Sequence, residues 1–202
     1  MERIKLTKKF RENSGREQTR KLADTPSLFG EIRQPSSRYL LIPKVSSEER
    51  NYIPIGFCSS NIIASGSSLI IPKATDYHFG ILTSSMHMAW MRHMAGRMKS
   101  DYQYSNSIVY NTFPWPENIS KIIHNKIVNN ARKILKIREK YNNSTLADLY
   151  DINTMPIDLV KAHKDLDKAV ESAYGIKANS SDLEKMKLLF TLYSKNIGGK
   201  DD

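Results

Sequence analysis

The chain has 202 residues, enough for one medium domain or two small ones with a hydrophobic core. Hydrophobic residues make up 40% and charged residues 26%, and the longest apolar runs fall far short of the roughly 18 residues that a membrane span needs. The composition therefore excludes a membrane-spanning protein. Because no apolar stretch of the secretory kind follows Met1, the sequence predicts a cytoplasmic location.

Cysteine content and net charge narrow the class further. Cys58 is the single cysteine, which excludes an internal disulfide and a cysteine-based zinc site. The chain carries 31 Lys and Arg against 21 Asp and Glu, a formal net charge of +10, which favours a polyanionic partner through counterion release. Nucleic acid is the first candidate, although many soluble proteins are basic without binding a polyanion.

The strand signals lie in the first 118 residues, of which residues 1–27 are a lead-in segment. Short runs of β-branched and aromatic residues, separated by polar turns, predict strands at 39–42, 52–57 and 68–72. Prolines in these runs suit strand ends or edges. We therefore expect a twisted mixed sheet.

A helix follows the strands. From Ser84 to Gly96, methionine, tryptophan and alanine recur every three or four residues, which predicts an amphipathic helix packed on the sheet. The methionines would suit a soft binding surface, but their spacing favours a place in the core.

Three further helices are predicted after Pro114-Trp115-Pro116, and we place a domain boundary near residue 118. The first helix runs from Ile119 to Tyr141. The second begins with Pro156 in its first turn and is capped by Gly175, and the third opens with a capping box of Ser181 and Glu184. The predicted fold class is α+β, with a mixed twisted sheet and a packed helix over 1–118 and a small three-helix bundle over 119–202.

Signatures of catalysis are missing from the sequence. It contains no phosphate loop of the G-x-x-x-x-G-K-[ST] type, no G-x-G-x-x-G, no H-E-x-x-H and no paired carboxylates with E-x-K. His87 and His93 lie six residues apart on the predicted helix, on opposite sides, so joint metal binding is not expected. The residues therefore predict no catalytic, cofactor-binding or metal-binding site in this chain.

The segment from Gly96 to Asn106 is the densest in groups that suit contacts with bases. If it is extended, Lys99 and Asp101 project to one side, because residues two apart in a strand share a face. Lysine donates to guanine O6 and N7 and aspartate accepts from cytosine N4, so the pair matches a G·C pair in the major groove. An exposed ion pair without a function explains the same two residues.

Other polar residues are weaker candidates. Gln103 and Asn106 have the donor and acceptor pattern that suits adenine, and Arg92 and Arg97 are candidate phosphate contacts, although polar loop residues often do neither. Seven basic residues and one acid lie on the predicted helix at 121–140: Lys121, Lys126, Arg132, Lys133, Lys136, Arg138 and Lys140, with Glu139. Lys126 and Lys133 are the predicted phosphate contacts there, and a solvated helix face explains the run equally well.

Longer strings of the sequence resemble MmeI-like type II restriction-modification enzymes, beginning with YHFGILTSSMHMAW at 77–90. Similar strings follow in the target recognition domain and in the helical C-terminal region of that family. They lie at 28–35, 39–57, 96–117, 161–175 and 188–195. The resemblance therefore covers nearly the whole chain.

The resemblance implies that recognition and catalysis belong to different domains. Members of that family join an endonuclease, an adenine-N6 methyltransferase that uses S-adenosylmethionine, and this recognition region. The methyltransferase motif N-P-P-Y is missing, since Asn111-Thr112-Phe113-Pro114 lacks the paired prolines. S-adenosylmethionine and Mg are thus expected for catalytic domains outside these residues. In the family, a pair two residues apart in this loop selects one base pair, and Lys99 and Asp101 occupy that place.

Two functions remain open from the sequence. The first is a sequence-specific recognition module of a bifunctional restriction endonuclease and adenine-N6 DNA methyltransferase, which reads bases in the major groove of double-stranded DNA and positions a catalytic domain. The alternative is a specificity or docking subunit that binds a separate methyltransferase protein and has little DNA affinity of its own. The expected partners are double-stranded DNA and methyltransferase or endonuclease domains, in the same polypeptide or in a separate subunit.

Overall fold

The computed structural model describes residues 1–198. Packing divides the chain into two compact units, Met1–Pro35 and a larger unit that begins at Ser36. No helix in the described part of the chain is long and apolar enough to cross a membrane.

The first unit is helical. It consists of α1 (Glu2–Glu12), α2 (Glu17–Lys21) and a 3₁₀ turn at Leu22–Asp24. The guanidinium of Arg11 donates to three backbone carbonyls, those of Leu22 at 2.8 Å, Thr25 at 2.7 Å and Leu28 at 2.8 Å. The lead-in segment predicted for 1–27 thus contains helices that the sequence did not indicate, because α1 buries no residue and has no apolar stripe against a core.

The strands of the second unit form two small antiparallel sheets. In the first, β1 (Tyr39–Pro43) lies between β3 (Gly56–Cys58) and β4 (Ser68–Pro72). In the second, β6 (Asp101–Gln103) lies between β2 (Val45–Ser46) and β5 (Gly96–Met98). The α+β class is confirmed, but these two sheets replace the single mixed sheet that was predicted.

The two sheets separate at Lys44, which lies between β1 and β2. Its backbone N–H donates to Ser67 at 2.9 Å on the side of the first sheet, and its carbonyl accepts from the N–H of Tyr104 at 2.7 Å on the side of the second. The strand predicted at 52–57 begins only at Gly56, because the N–H of Ile55 donates to the carbonyl of Ile53 at 2.8 Å in a tight turn.

The predicted helices are present. They are α4 (Ser85–Met94), α5 (Lys121–Glu139), α7 (Ile157–Ala173) and α8 (Asp182–Gly198), and α3 (Asp76–Leu82), α6 (Leu146–Leu149) and a π-helical turn at Asn106–Tyr110 are additional. The Ser181–Glu184 capping box forms, with the N–H of Ser181 donating to Glu184 Oε2 at 2.7 Å, and Gly175 adopts a φ of 70° just after α7. The methionines on α4 are core residues, as their spacing predicted, since Met86, Met88 and Met91 are buried.

One hydrophobic core joins the sheets and the helices of the second unit. Gly80 on α3 allows the closest approach, because a Cβ at this position would lie 2.8 Å from Cγ2 of Ile127 on α5. The boundary near residue 118 stays a prediction, and the structure packs the elements on its two sides against each other. The second sheet is attached to this core through Tyr102 and Tyr104.

Candidate nucleic-acid interface

The hairpin of β5 and β6 carries the base-contacting candidates. Arg97 pairs with Tyr102 and Met98 with Asp101, so Lys99 and Ser100 form a two-residue loop. Lys99 has a φ of 57°, which belongs to the left-handed region. The extended geometry predicted for this segment is therefore wrong at Lys99, because the chain reverses there. Lys99 lies at the tip of the hairpin, beside Asp101 instead of in line with it on one strand.

Alternation along β6 aims two candidates away from the core. Tyr102 and Tyr104 are 5% and 2% exposed, and the hydroxyl of Tyr104 lies 2.9 Å from Nε2 of the buried His87. Since successive side chains of a strand point to opposite faces, Asp101 and Gln103 share the other face. The structure thus brings half-buried Asp101 and exposed Gln103 into one row on the outer face, anchored by two buried tyrosines.

Glycine and methionine on the neighbouring strand shape this row. Met98, which pairs with Asp101, is 50% exposed. Gly96 pairs with Gln103, and a Cβ built on Gly96 would lie 3.5 Å from Oε1 of Gln103. The Gln103 side chain therefore lies over a position without a side chain of its own. In the described part of the chain no ion pair joins Lys99 to Asp101.

Arg97 is engaged within the hairpin. Its guanidinium carbon lies 4.0 Å from the ring centroid of Tyr102, and Nη1 donates to the carbonyl of Ser100 at 2.9 Å. The same Nη1 lies 3.7 Å from Oε2 of Glu48. Sequence reasoning missed Tyr102 and Glu48 as partners, although the alternation in Asp101-Tyr102-Gln103-Tyr104 already marks Tyr102 as inward-facing. A phosphate contact by Arg97 would have to compete with these partners.

Two further candidates lie apart from the hairpin strands. Asn106 is exposed in the first position of the π-helical turn, and its Oδ1 accepts from the N–H of Ser107 at 3.0 Å, which leaves its amide donors. Nη1 of Arg92 lies 2.5 Å from Oδ2 of Asp182, the first residue of α8. A phosphate contact by Arg92 would have to displace this carboxylate.

The basic run on α5 is not a single face. Arg138 is only 9% exposed and points inward, where Nη1 donates to the carbonyl of Ile55 at 2.7 Å and Nε donates to the hydroxyl of Tyr150 at 2.8 Å. Lys126 is exposed, and Nζ of Lys133 lies 2.9 Å from Oδ2 of Asp165. The predicted phosphate-contacting face therefore loses Arg138, which occupies the position where the apolar stripe of α5 continues.

The comparisons with known proteins place this arrangement in a family. The family model described as the MmeI target recognition domain matches residues 1–117, and the model of the MmeI C-terminal domain matches residues 119–198. The chain belongs to the MmeI family. The resemblance found in the sequence strings is thereby confirmed, and the β5–β6 hairpin falls within the matched target recognition domain.

Two relatives of the MmeI family illustrate the match. The chain is 43% identical over 194 residues to DNA methyltransferase A of Bacillus subtilis strain 168, which covers 96% of this chain and 22% of that protein. A solved structure of the type IIL restriction-modification enzyme MmeI in complex with DNA has a TM-score of 0.85 and 47% identity, and the match covers 95% of this chain and 26% of MmeI. The chain spans about a quarter of the length of these relatives.

The histidine and carboxylate side chains of the described residues do not gather into a metal site. Within residues 1–198, no group of three or more His, Cys, Asp and Glu side chains could hold a metal ion. Burial lowers the pKa of His87 to about 3 and lowers the pKa of His163 well below its ordinary value, so both imidazoles are neutral core groups near pH 7. Neither histidine faces a site where it could exchange a proton with a ligand.

Proposed function

We propose that this chain recognises a specific sequence in duplex DNA for an MmeI-type restriction-modification enzyme, with the β5–β6 hairpin in the major groove. The outer row of half-buried Asp101 and exposed Gln103, with Lys99 at the hairpin tip and Tyr102 buried behind it, carries the proposal. A two-stranded ribbon fits the major groove of B-DNA, which is about 12 Å wide. The likeness to an MmeI structure described as a complex with DNA supports the same conclusion.

Lys99 has an unfavourable backbone conformation at the tip of the hairpin. A residue with a Cβ pays roughly 1–2 kcal/mol for left-handed backbone angles, whereas glycine adopts them freely. Lysine at a φ of 57° is therefore less stable than glycine would be at the same loop position. Lys73 has nearly the same φ, 56°, so the feature that distinguishes Lys99 is the position of its ammonium group at the tip of the β5–β6 hairpin.

The chemistry of each side chain matches a base. We propose that Lys99 donates to guanine and that Asp101 accepts from the paired cytosine, which together fix one G·C pair. Gln103, on the same face as Asp101, has the amide that pairs with adenine, and Asn106 has the same group. A well-placed contact of this kind discriminates against the wrong base by about 1–3 kcal/mol.

Phosphate contacts would set the position of the hairpin on the duplex. Lys126 has no ion-pair partner within residues 1–198, and Lys133 is 53% exposed beside Asp165, so we propose these two as contacts. Arg97 instead holds the loop that carries Lys99. The predicted phosphate roles of Arg97 and Arg92 would need both guanidiniums to leave their present partners.

In this proposal catalysis belongs to other domains. An endonuclease and an adenine-N6 methyltransferase, with Mg and S-adenosylmethionine, would act on DNA that this chain has positioned. They would be part of the same polypeptide or a separate subunit, in the cytoplasm. No step of that chemistry passes through the residues described here.

A pair of glycine substitutions tests the base contact. Lys99→Gly removes the ammonium and relieves the left-handed backbone angle, and Lys73→Gly does the same at another exposed lysine with a φ of 56°. Affinities are measured for duplexes that differ at one base pair at a time. We expect Lys99→Gly to relax preference at one G·C pair by roughly 1–3 kcal/mol, or about 5- to 150-fold, while folding is kept.

The control variant separates specific from general effects. Lys73→Gly should leave the preference unchanged. Equal preferences of the two variants for the G·C pair would contradict the assignment of Lys99. A chain that binds a methyltransferase protein but not duplex DNA would support the docking alternative.

A further inference from the structure

A groove between α5 and α7 concentrates lysine side chains. It has a volume of about 400 Å³. Its lining residues are Lys133, Lys136 and Ile137 of α5, Lys140 directly after that helix, and Asp158 and Lys161 of α7. Ile137, which is 7% exposed, forms an apolar floor, and lysines from both sides of the groove line it. Four cations thus face one aspartate in a space open to a ligand.

Local ion pairs neutralise only part of this charge. Nζ of Lys133 lies 2.9 Å from Oδ2 of Asp165, and Nζ of Lys140 lies 3.6 Å from Oδ2 of Asp158. Oδ1 of Asp158 already accepts from the hydroxyl of Tyr141 at 2.9 Å, so this carboxylate is shared between two donors. Lys136 and Lys161 have no ion-pair partner within residues 1–198. The groove therefore has a net positive charge and two unpaired ammonium groups on opposite walls.

The geometry points to the phosphate backbone of duplex DNA beside the recognised sequence as the ligand of this groove, an inference that rests on the proposed function. Lys133 and Lys140 are seven residues apart, or about 10 Å along the helix axis. A wall of this length reaches more than one phosphate of a single DNA strand. Lys161 on the facing helix brackets the same strand from the other side.

This contact adds affinity without sequence preference. Lysine binds phosphate as a point charge with rotatable donors, in contrast to the planar fork of arginine that selects geometry. Each phosphate that is neutralised releases counterions, which makes the affinity depend on salt by a slope of about 0.9 per contact. Lys136 and Lys161 would then lower the affinity for every duplex equally when they are removed. Base preference would stay with the hairpin.

The salt dependence of binding tests this inference. The 202-residue chain and its variant Lys136→Ala/Lys161→Ala are titrated with two duplexes, one carrying the preferred sequence and one scrambled, over a range of salt concentrations. We expect the slope of log Kd against log salt to fall by about 1.8 for both duplexes. If the variant and the wild type bind equally at about 1 M salt, this difference in slope makes the variant roughly 60-fold weaker at about 0.1 M salt.

Two control variants isolate the groove. Lys187→Ala/Lys195→Ala removes the same charge from exposed positions on α8 and should leave the slope within a few tenths of wild type. Lys136→Arg/Lys161→Arg keeps the charge and should keep the slope.

Each outcome is decisive. An unchanged slope in the alanine variant of the groove, with base preference intact, would overturn the groove contact and leave the proposed function in place. The same loss of slope in the α8 control would also overturn it, because net charge alone would then explain the effect. A wild-type chain that binds neither duplex, or binds only an acidic protein through these lysines, would overturn the groove contact together with the proposed function.

Discussion

Arg97 has two possible roles, which substitutions can distinguish. It either stabilises the hairpin loop that carries Lys99 or contacts a DNA phosphate. Its guanidinium stacks over Tyr102 at 4.0 Å and donates to the carbonyl of Ser100 at 2.9 Å. An exposed cation–π contact stabilises by about 0.5–1 kcal/mol and a hydrogen bond by about 1 kcal/mol. Removing both should cost about 2 kcal/mol of loop order, which is roughly a 30-fold change in the population of the ordered loop.

Two substitutions distinguish these roles. Arg97→Ala loses both contacts, whereas Arg97→Lys keeps the charge but loses the planar group that stacks on Tyr102. If Arg97 holds the loop, both variants should lose most of the preference at the base pair contacted by Lys99, because the loop that carries the ammonium is disordered.

The assay is a set of duplexes with single base-pair changes, titrated at several salt concentrations. The account predicts that Arg97→Lys has the salt slope of the wild type and a preference reduced by roughly 10-fold or more at one base pair. A wild-type preference in Arg97→Lys, with Arg97→Ala uniformly weaker and its slope lower by about 0.9, would refute the reasoning and make Arg97 a phosphate contact.

Two further predictions concern the folded core. Lys185→Met should lower the free energy of unfolding by about 3–5 kcal/mol, because it leaves the Glu171 carboxylate, 1% exposed, without its ammonium partner at 3.1 Å. Urea unfolding followed by circular dichroism measures this change in stability. The double variant Lys185→Met/Glu171→Gln should recover part of the loss, because the buried charge is removed as well. A loss below about 1 kcal/mol in Lys185→Met would contradict the buried pair. The lowered pKa of His87, about 3, means that only the unfolded chain binds this proton as pH falls below about 6.5, so stability drops from there toward pH 3 by up to about 1.4 kcal/mol per pH unit. His87→Asn should flatten that acid slope by the same amount in unfolding curves from pH 7 to 4, and equal slopes would rule the effect out.

Local signals in the sequence predict much of the fold. Alternating and β-branched residues locate β1 and β4. Gly175 marks the end of α7, and the Ser181–Glu184 pair marks the start of α8. The division into two sheets is different, since it depends on the backbone of Lys44 bonding to Ser67 and to Tyr104, which lies 60 residues away in the chain. Pairing between such distant segments leaves no local pattern.

The candidate site is predictable in part for the same reason. The residue types suit base contacts, and the alternation in Asp101-Tyr102-Gln103 is sufficient to place two of them on one face. The two-residue loop Lys99-Ser100 contains no glycine or asparagine, the residues that usually indicate such a turn. The sequence therefore favoured an extended segment. Arg138 belongs to a basic run by composition, but it follows Ile134 by four residues and so extends the buried stripe of α5.

Selection from a randomised duplex library tests the central claim most directly. The purified 202-residue chain is incubated with the library at low and at near-physiological salt, and the retained duplexes are sequenced. If the β5–β6 hairpin reads bases, we expect an enriched motif that contains a fixed G·C pair at both salt concentrations. Retention without enrichment, lost as the salt concentration rises, would show that the basic surface binds phosphates alone and would contradict sequence recognition by the β5–β6 hairpin.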